Sequence, residues 1–132
     1  MAERLLIDTD VLIEYLRGQS EAVEYLEGLT SDLHISVISV AELFAGVRSE
    51  EEEKSLKQLL LAFVILSVTE KTAQLGGLYR RDYGRSHGTG LADALIAATS
   101  EENGTDLVTF NQRHFPMVSR ITVPYERWSR NW

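Results

Sequence analysis

Cysteine is absent from this chain of 132 residues, which excludes disulfides, thiolate metal sites and a cysteine nucleophile together. A chain without disulfides is expected in the cytoplasm. Long apolar runs are missing as well. Residues 59–66 form the longest, far short of the roughly 20 residues that cross a bilayer, and they read as a helix end running into a strand. No signal-peptide pattern is visible, because Met1-Ala2-Glu3-Arg4 leads straight into a short apolar segment. Basic residues are scarce: 13 Lys and Arg stand against 20 Asp and Glu, a formal net charge of −7. That balance argues against a broad electrostatic grip on nucleic acid, which needs clustered cations. It leaves open a nucleic-acid enzyme whose metal bridges to phosphate, and it suits a protein that meets a basic partner. The three histidines, His34, His87 and His114, lack ligand spacing, so no zinc site is expected. Neither an internal repeat nor a low-complexity tract is present.

The length suits one domain over residues 1–132, with 124–132 as a tail. Residues 5–8, 33–37, 64–68, 107–109 and 121–123 read as short apolar strands, the last stopped by Pro124. Helices are expected between them. The first starts near Asp10 as N-cap and ends by Gly18; the next spans 20–29. A third covers 39–47 and a fourth 50–63, the latter opening on four glutamates near the positive end of its dipole. A fifth is capped by Thr69 and runs to about Tyr83, residues 84–90 read as a loop, and a sixth spans 91–102 before Asn103-Gly104. Strands alternating with helices imply an α/β fold with a parallel sheet.

Three acids stand out: Asp8 after Leu5-Leu6-Ile7, Glu42 in Ser39-Val40-Ala41-Glu42, and Asp93 in Gly90-Leu91-Ala92-Asp93. Each sits where strand and helix meet. The carboxyl ends of parallel strands share one edge, where ligands bind, so acids distant in sequence can meet there. Taken singly, each also has a structural reading. Asp8 and Asp10 suit a helix cap, Ser39 with Glu42 fits a capping box, and Asp93 favours a first helical turn. Jointly they point further. Asp93 lies in the most apolar helix, Glu42 shares one with Val40, Leu43 and Phe44, and no Lys or Arg adjoins any of the three. Hidden carboxylates need a partner, and a hard cation such as Mg²⁺ takes carboxylate oxygens while keeping waters. Thr109 and Asn111, after the fourth strand, can support that site, as can Thr9 and Asp10; a turn Asn is the plainer reading of Asn111.

Leu6-Ile7-Asp8-Thr9-Asp10-Val11-Leu12-Ile13, Ser39-Val40-Ala41-Glu42-Leu43, Ala92-Asp93-Ala94-Leu95-Ile96-Ala97-Ala98-Thr99 and Leu107-Val108-Thr109-Phe110-Asn111-Gln112-Arg113-His114-Phe115 follow one another here. In that order they resemble PIN-domain ribonucleases, and among them the VapC-type toxins of toxin–antitoxin pairs, over residues 5 to about 123. The resemblance implies a three-layer sandwich with a central parallel sheet of about five strands flanked by helices. It implies Mg²⁺ or Mn²⁺ held by Asp8, Glu42 and Asp93, Glu42 acting directly or through water, and endonucleolytic hydrolysis of RNA. A homodimer and a small antitoxin covering the acidic pocket are implied too. Many relatives carry Asp where this chain has Asn111, which weakens the case for direct ligation there and for a second metal.

Arg81, Arg85 and His87 form the one basic cluster near a site acid in sequence. They can contact RNA phosphate, with Tyr83 or His87 stacking on a base; a solvated helix end is the bland reading. His114 at most supports the pocket, while Tyr125, Trp128 and Trp132 suit a tail anchor or an interface. Two rival activities lack residues they need. A haloacid-dehalogenase-type phosphatase shares the Asp8-Thr9-Asp10 start but requires a later lysine and an acidic pair. A receiver-like domain requires an acceptor Asp ending the third strand, where Val64-Ile65-Leu66-Ser67-Val68 has none. A silent PIN scaffold that only binds a partner is the third alternative.

Overall fold

Successive residues of the first strand point to opposite sides, and both sides are dry. Leu5, Leu6 and Ile7 are all buried, as a central parallel strand covered on both faces requires. In the computed structural model, which describes residues 4–127, five strands form one sheet: β1 (Arg4–Ile7), β2 (Asp32–Ser36), β3 (Val64–Leu66), β4 (Asp106–Val108) and β5 (Ile121–Thr122). Their order is β3-β2-β1-β4-β5 and every pairing is parallel. Six helices flank it: α1 (Thr9–Leu16), α2 (Ser20–Glu27), α3 (Val37–Ala45), α4 (Glu50–Leu60), α5 (Glu70–His87) and α6 (Leu91–Asn103).

Two cores result, one per face. Leu5, Ile7, Ile35 and Val108 meet Val11, Leu12, Leu26, Leu43 and Leu56 from α1 to α4. Leu6 and Leu107 meet Ile96 and Ala97 of α6 and Phe115, with Tyr79 of α5 against them. The expected three layers are therefore α1–α4, sheet, and α5–α6. The α5–α6 contact is close because Gly76 has no side chain: a Cβ there would stand 2.7 Å from Leu95 Cδ2.

Several boundaries differ from the sequence expectation. The first helix is capped by Asp8, not Asp10, two residues earlier than expected; Asp8 accepts from the Thr9 amide, and Asp10 is turned to the β4 end. Ser39 and Glu42 form no capping box. Ser36 caps α3 by accepting from the Ile38 amide, so Val37 opens that helix instead of closing β2. Helix α4 stops at Leu60, short of Phe63, and β3 is a largely exposed edge strand, with Val64 and Ile65 open to solvent. Residues 84–87 are helical instead of a loop. Glycine 84 weakens a helix only modestly, and α5 runs on until Gly88 takes the left-handed conformation at φ +68°. Arg85 and His87 thus sit on a helix.

Candidate active site

Strand order reverses at β1: β2 lies on one side and β4 on the other. A crevice opens at such a switch point, outside the carboxyl ends of the strands. Asp8 ends β1 there. Its Oδ1 accepts from the Thr9 amide at 2.8 Å and its Oδ2 from the Thr109 hydroxyl at 2.8 Å, and it is only 4% exposed. Burial pushes its carboxyl up to about 8 from the ordinary 3.8, with the charges of Asp10 and Asp93 adding, while the Thr109 and Thr9 hydrogen bonds pull it down.

Thr9 joins the next acid to this one. Its amide serves Asp8, and its hydroxyl donates to Glu42 Oε1 at 2.7 Å while hydrogen-bonding with Ser39 at 2.8 Å. The carrier helix α3 leaves the carboxyl end of β2, which brings Glu42 to the same edge. Glu42 is nevertheless exposed, so the expectation of three hidden acids is corrected. The side of α3 that goes inward carries Ser39 and Leu43, both buried.

Asp93 lies in the first turn of α6, which runs back from that edge toward β4. Its Oδ2 accepts from the Gly90 amide at 3.3 Å and stands 3.3 Å from His114 Nδ1, with the Asp93 side chain 29% exposed. It is half-buried, less enclosed than its apolar helix suggests, because the neighbouring Leu91 is itself exposed.

Asp10, expected as a cap, ties two turns together. Its Oδ2 accepts from the Phe110 amide at 3.0 Å and from Thr109 at 3.4 Å. Its Oδ1 is buried without a hydrogen-bond partner. Burial raises its carboxyl, countered first by the Phe110 and Val11 amides and then by the charge of Arg127. Asn111 is exposed; it contributes its backbone, donating its amide to the Thr109 hydroxyl at 3.0 Å. Arg81 is bound to Asp82 at 2.8 Å and Arg85 is exposed. The His87 ring packs on Tyr83, centroids 5.8 Å apart, with Nδ1 against the Ser86 hydroxyl. His34 lies in β2, within the expected strand, and is buried there. Tyr125 does anchor the tail, donating to Glu14 at 2.7 Å and packing on Phe110; Trp128 and Trp132 lie outside the described residues.

Three features escaped the sequence reading: the Ser39–Thr9 bond, the grip of Asp10 on the Phe110 amide, and the contact of His114 with Asp93. Each joins segments that no periodicity relates. The nearest signal is the glycine pair around Thr89, whose hydroxyl donates to the His114 carbonyl at 2.7 Å.

The acids at this edge, Asp8, Asp10, Glu42 and Asp93, offer carboxylate oxygens, which suits a hard cation. Among the described residues, Asp8 is a buried carboxylate with no basic partner and Asp10 presents an oxygen without a hydrogen-bond partner beside it; both are features a cation would relieve. Among the described residues, no group of three His, Asp or Glu side chains clusters tightly enough to hold an ion alone. The fit is therefore to an ion that takes one or two carboxylates and completes its shell with water or phosphate, as Mg²⁺ does.

A family model described as the PIN domain matches residues 5–120. Ribonuclease VapC10 of Mycobacterium tuberculosis (strain ATCC 25618 / H37Rv) is 41% identical over 124 residues, covering 92% of each chain. Ribonuclease VapC19 of the same strain is 40% identical over 124 residues, 91% of this chain and 98% of that one. Among solved structures, a toxin–antitoxin complex from Klebsiella pneumoniae is 28% identical with a TM-score of 0.80, over 93% of this chain and 99% of that one. DNA-bound VapBC from Salmonella typhimurium is 26% identical with a TM-score of 0.75, over 92% and 98%.

Proposed function

Since this chain belongs to the PIN-domain family and, within it, to the VapC ribonucleases, we propose that it is the RNA-cleaving toxin of a type II toxin–antitoxin pair, a Mg²⁺- or Mn²⁺-dependent endoribonuclease. The observation that carries the reading is Asp8: a buried carboxylate at the strand switch point, opposed by Asp93 and linked through Thr9 to Glu42.

Asp8 and Asp93 are the residues that would hold the ion, with Glu42 reaching it directly or through water. A divalent ion so held lowers the pKa of bound water and offsets charge on the phosphoryl oxygens. The protein's part is geometric. Thr109 and the Thr9 amide fix both oxygens of Asp8, Gly90 fixes one oxygen of Asp93, and Thr9 turns Glu42 toward the crevice. Glu42, exposed but tethered, is suited to orient an attacking water and take up its proton. Arg85 and His87, exposed and half-buried on α5, are candidate contacts for the RNA backbone and a base, and Arg81 joins them if it leaves Asp82.

A small antitoxin with a basic segment suits the acidic edge and the net charge of −7. The solved relatives are toxin–antitoxin and VapBC complexes, which supports such a partner. Homodimerisation finds support in the apolar edge around β3, where Leu61, Val64 and Ile65 are 78%, 53% and 44% exposed. RNA as substrate puts the working protein in the cytoplasm. No helix among the described residues is long and apolar enough to cross a membrane.

The test is cleavage of a single-stranded RNA by the purified full chain with Mg²⁺, with EDTA, and in the variants Asp8→Asn and Asp93→Asn. Cleavage with Mg²⁺, its loss in EDTA and a fall of at least about a hundredfold in either variant, the order seen when a charge-stabilising group is removed from an active site, support the reading. Full activity in a folded Asp93→Asn variant, or in EDTA, contradicts it. A folded wild-type chain that binds an antitoxin and cleaves no RNA is the silent scaffold.

A further inference from the structure

We propose that His114 is a positioning residue for the proposed divalent-ion site, acting through Asp93. The inference rests on the reading of Asp93 as an ion ligand given above.

The Asp93 carboxylate is held twice on the same oxygen. Oδ2 accepts from the Gly90 amide and faces His114 Nδ1, each at 3.3 Å. Neither contact uses Oδ1, which stays available to an oxygen-seeking cation. A carboxylate offers no proton, so any proton shared across this 3.3 Å contact comes from the imidazole nitrogen. With both contacts on Oδ2, rotation of the carboxylate that would carry Oδ1 away breaks the Gly90 hydrogen bond and the His114 contact at once. Partners of this kind, bonded to a ligand instead of to the ion, set ligand orientation and basicity.

The backbone that carries the imidazole is itself held from several sides. Its residue closes a short 3-10 turn, Gln112–His114, anchored by fully buried Phe115. The His114 amide donates to the Asn111 carbonyl at 2.8 Å, and the His114 carbonyl accepts from buried Thr89 at 2.7 Å. Gly88 lies against the ring: a Cβ there would stand 3.5 Å from His114 Nε2. Thr89 thus clamps the turn after β4 onto the α5–α6 junction, one residue before the Gly90 amide that serves Asp93. The clamp uses the backbone of residue 114, and the grip on Asp93 uses its ring. Substitution can separate the two.

His114→Ala keeps the carbonyl for Thr89 and removes the donor. His114→Asn keeps both, since an Asn Nδ2 occupies nearly the place of a His Nδ1. The measurement is Mn²⁺ affinity of the full chain without RNA, followed by the electron paramagnetic resonance signal of free Mn²⁺, together with kcat and KM for RNA cleavage. We expect His114→Ala to bind Mn²⁺ about 10–100-fold more weakly, with kcat reduced and KM for RNA little changed, and His114→Asn to recover most of both. Should the alanine variant fail to fold by circular dichroism, His114→Phe retains ring packing on Gly88 without the donor and is read the same way. Wild-type Mn²⁺ affinity in folded His114→Ala, with Asp93→Asn having lost it, overturns this inference alone. Equal loss in the Ala and Asn variants overturns it too, since the ring would then serve only packing. Equal affinity in wild type and Asp93→Asn overturns the ion reading along with it.

Discussion

At the end of β1 the Asp8 carboxylate gives up nearly all its water and receives two hydrogen bonds in return. Two bonds do not offset burial next to Asp10 and Asp93, as its rise to about 8 shows. The sign of the stability effect follows. The folded protein holds a proton that the unfolded chain releases near the ordinary value of 3.8, so this contribution is complete below that pH and is lost as pH rises through about 8. Thr9 is the second residue on which the site turns, since one hydroxyl serves Glu42 and Ser39. Thr9→Val keeps the shape and removes that hydroxyl. Leaving Ser39 short of a partner is expected to lower stability by about 1–3 kcal/mol, the usual cost of an unsatisfied buried group. Cleavage should fall further than stability alone explains, because Glu42 loses its tether; urea unfolding and initial rates check the two separately. Unchanged rates would mean that Glu42 needs no such hold.

Among the elements, what could be read in advance depended on whether the cause was local. Thr69 with Thr72 caps α5, each side chain serving the other's backbone, and a cap at Thr69 is visible in the chain itself. The strands were legible as short apolar runs, and β1 most plainly, because a parallel strand buried on both faces is a continuous apolar run. The α5 terminus was not: Arg85, Ser86 and His87 look like loop beside three glycines, yet the helix persists along α6, where Gly76 permits close approach. The cap exchange from Asp10 to Asp8 was likewise hidden, because it depends on the Phe110 amide 100 residues away in sequence. The position of Asp8, Glu42 and Asp93 at strand–helix junctions was legible; the exposure of Glu42 and the partial exposure of Asp93 were not, since helix phase decides them. Thr69→Ala offers a clean element-scale check. It removes a cap far from the crevice and should cost about 1 kcal/mol in urea unfolding while leaving the rate of RNA cleavage unchanged. A loss of cleavage in the folded variant would mean that α5 transmits strain to Asp93.

Across the whole molecule, the three layers converge on one edge of the sheet. The α1–α4 layer delivers Asp8, Thr9 and Glu42, the α5–α6 layer delivers Asp93, and the turn after β4 delivers Thr109 and His114. Such convergence of negative charge is unfavourable for the ion-free fold, and the proposed cation, binding the folded state and not the unfolded one, would offset it. At a hundredfold excess over its Kd, a ligand adds about 2.7 kcal/mol to stability, several degrees in melting temperature for a chain of this size. Melting of the full chain above about pH 8, where Asp8 is ionised, with and without Mg²⁺ and in wild type beside Asp8→Asn, is the most direct test. Without the ion, Asp8→Asn should melt above wild type by a few degrees. Added Mg²⁺ should raise wild type and leave the variant where it was. A wild-type chain indifferent to Mg²⁺, or a variant raised by it equally, would contradict the claim that Asp8 is buried at this edge to hold a divalent ion.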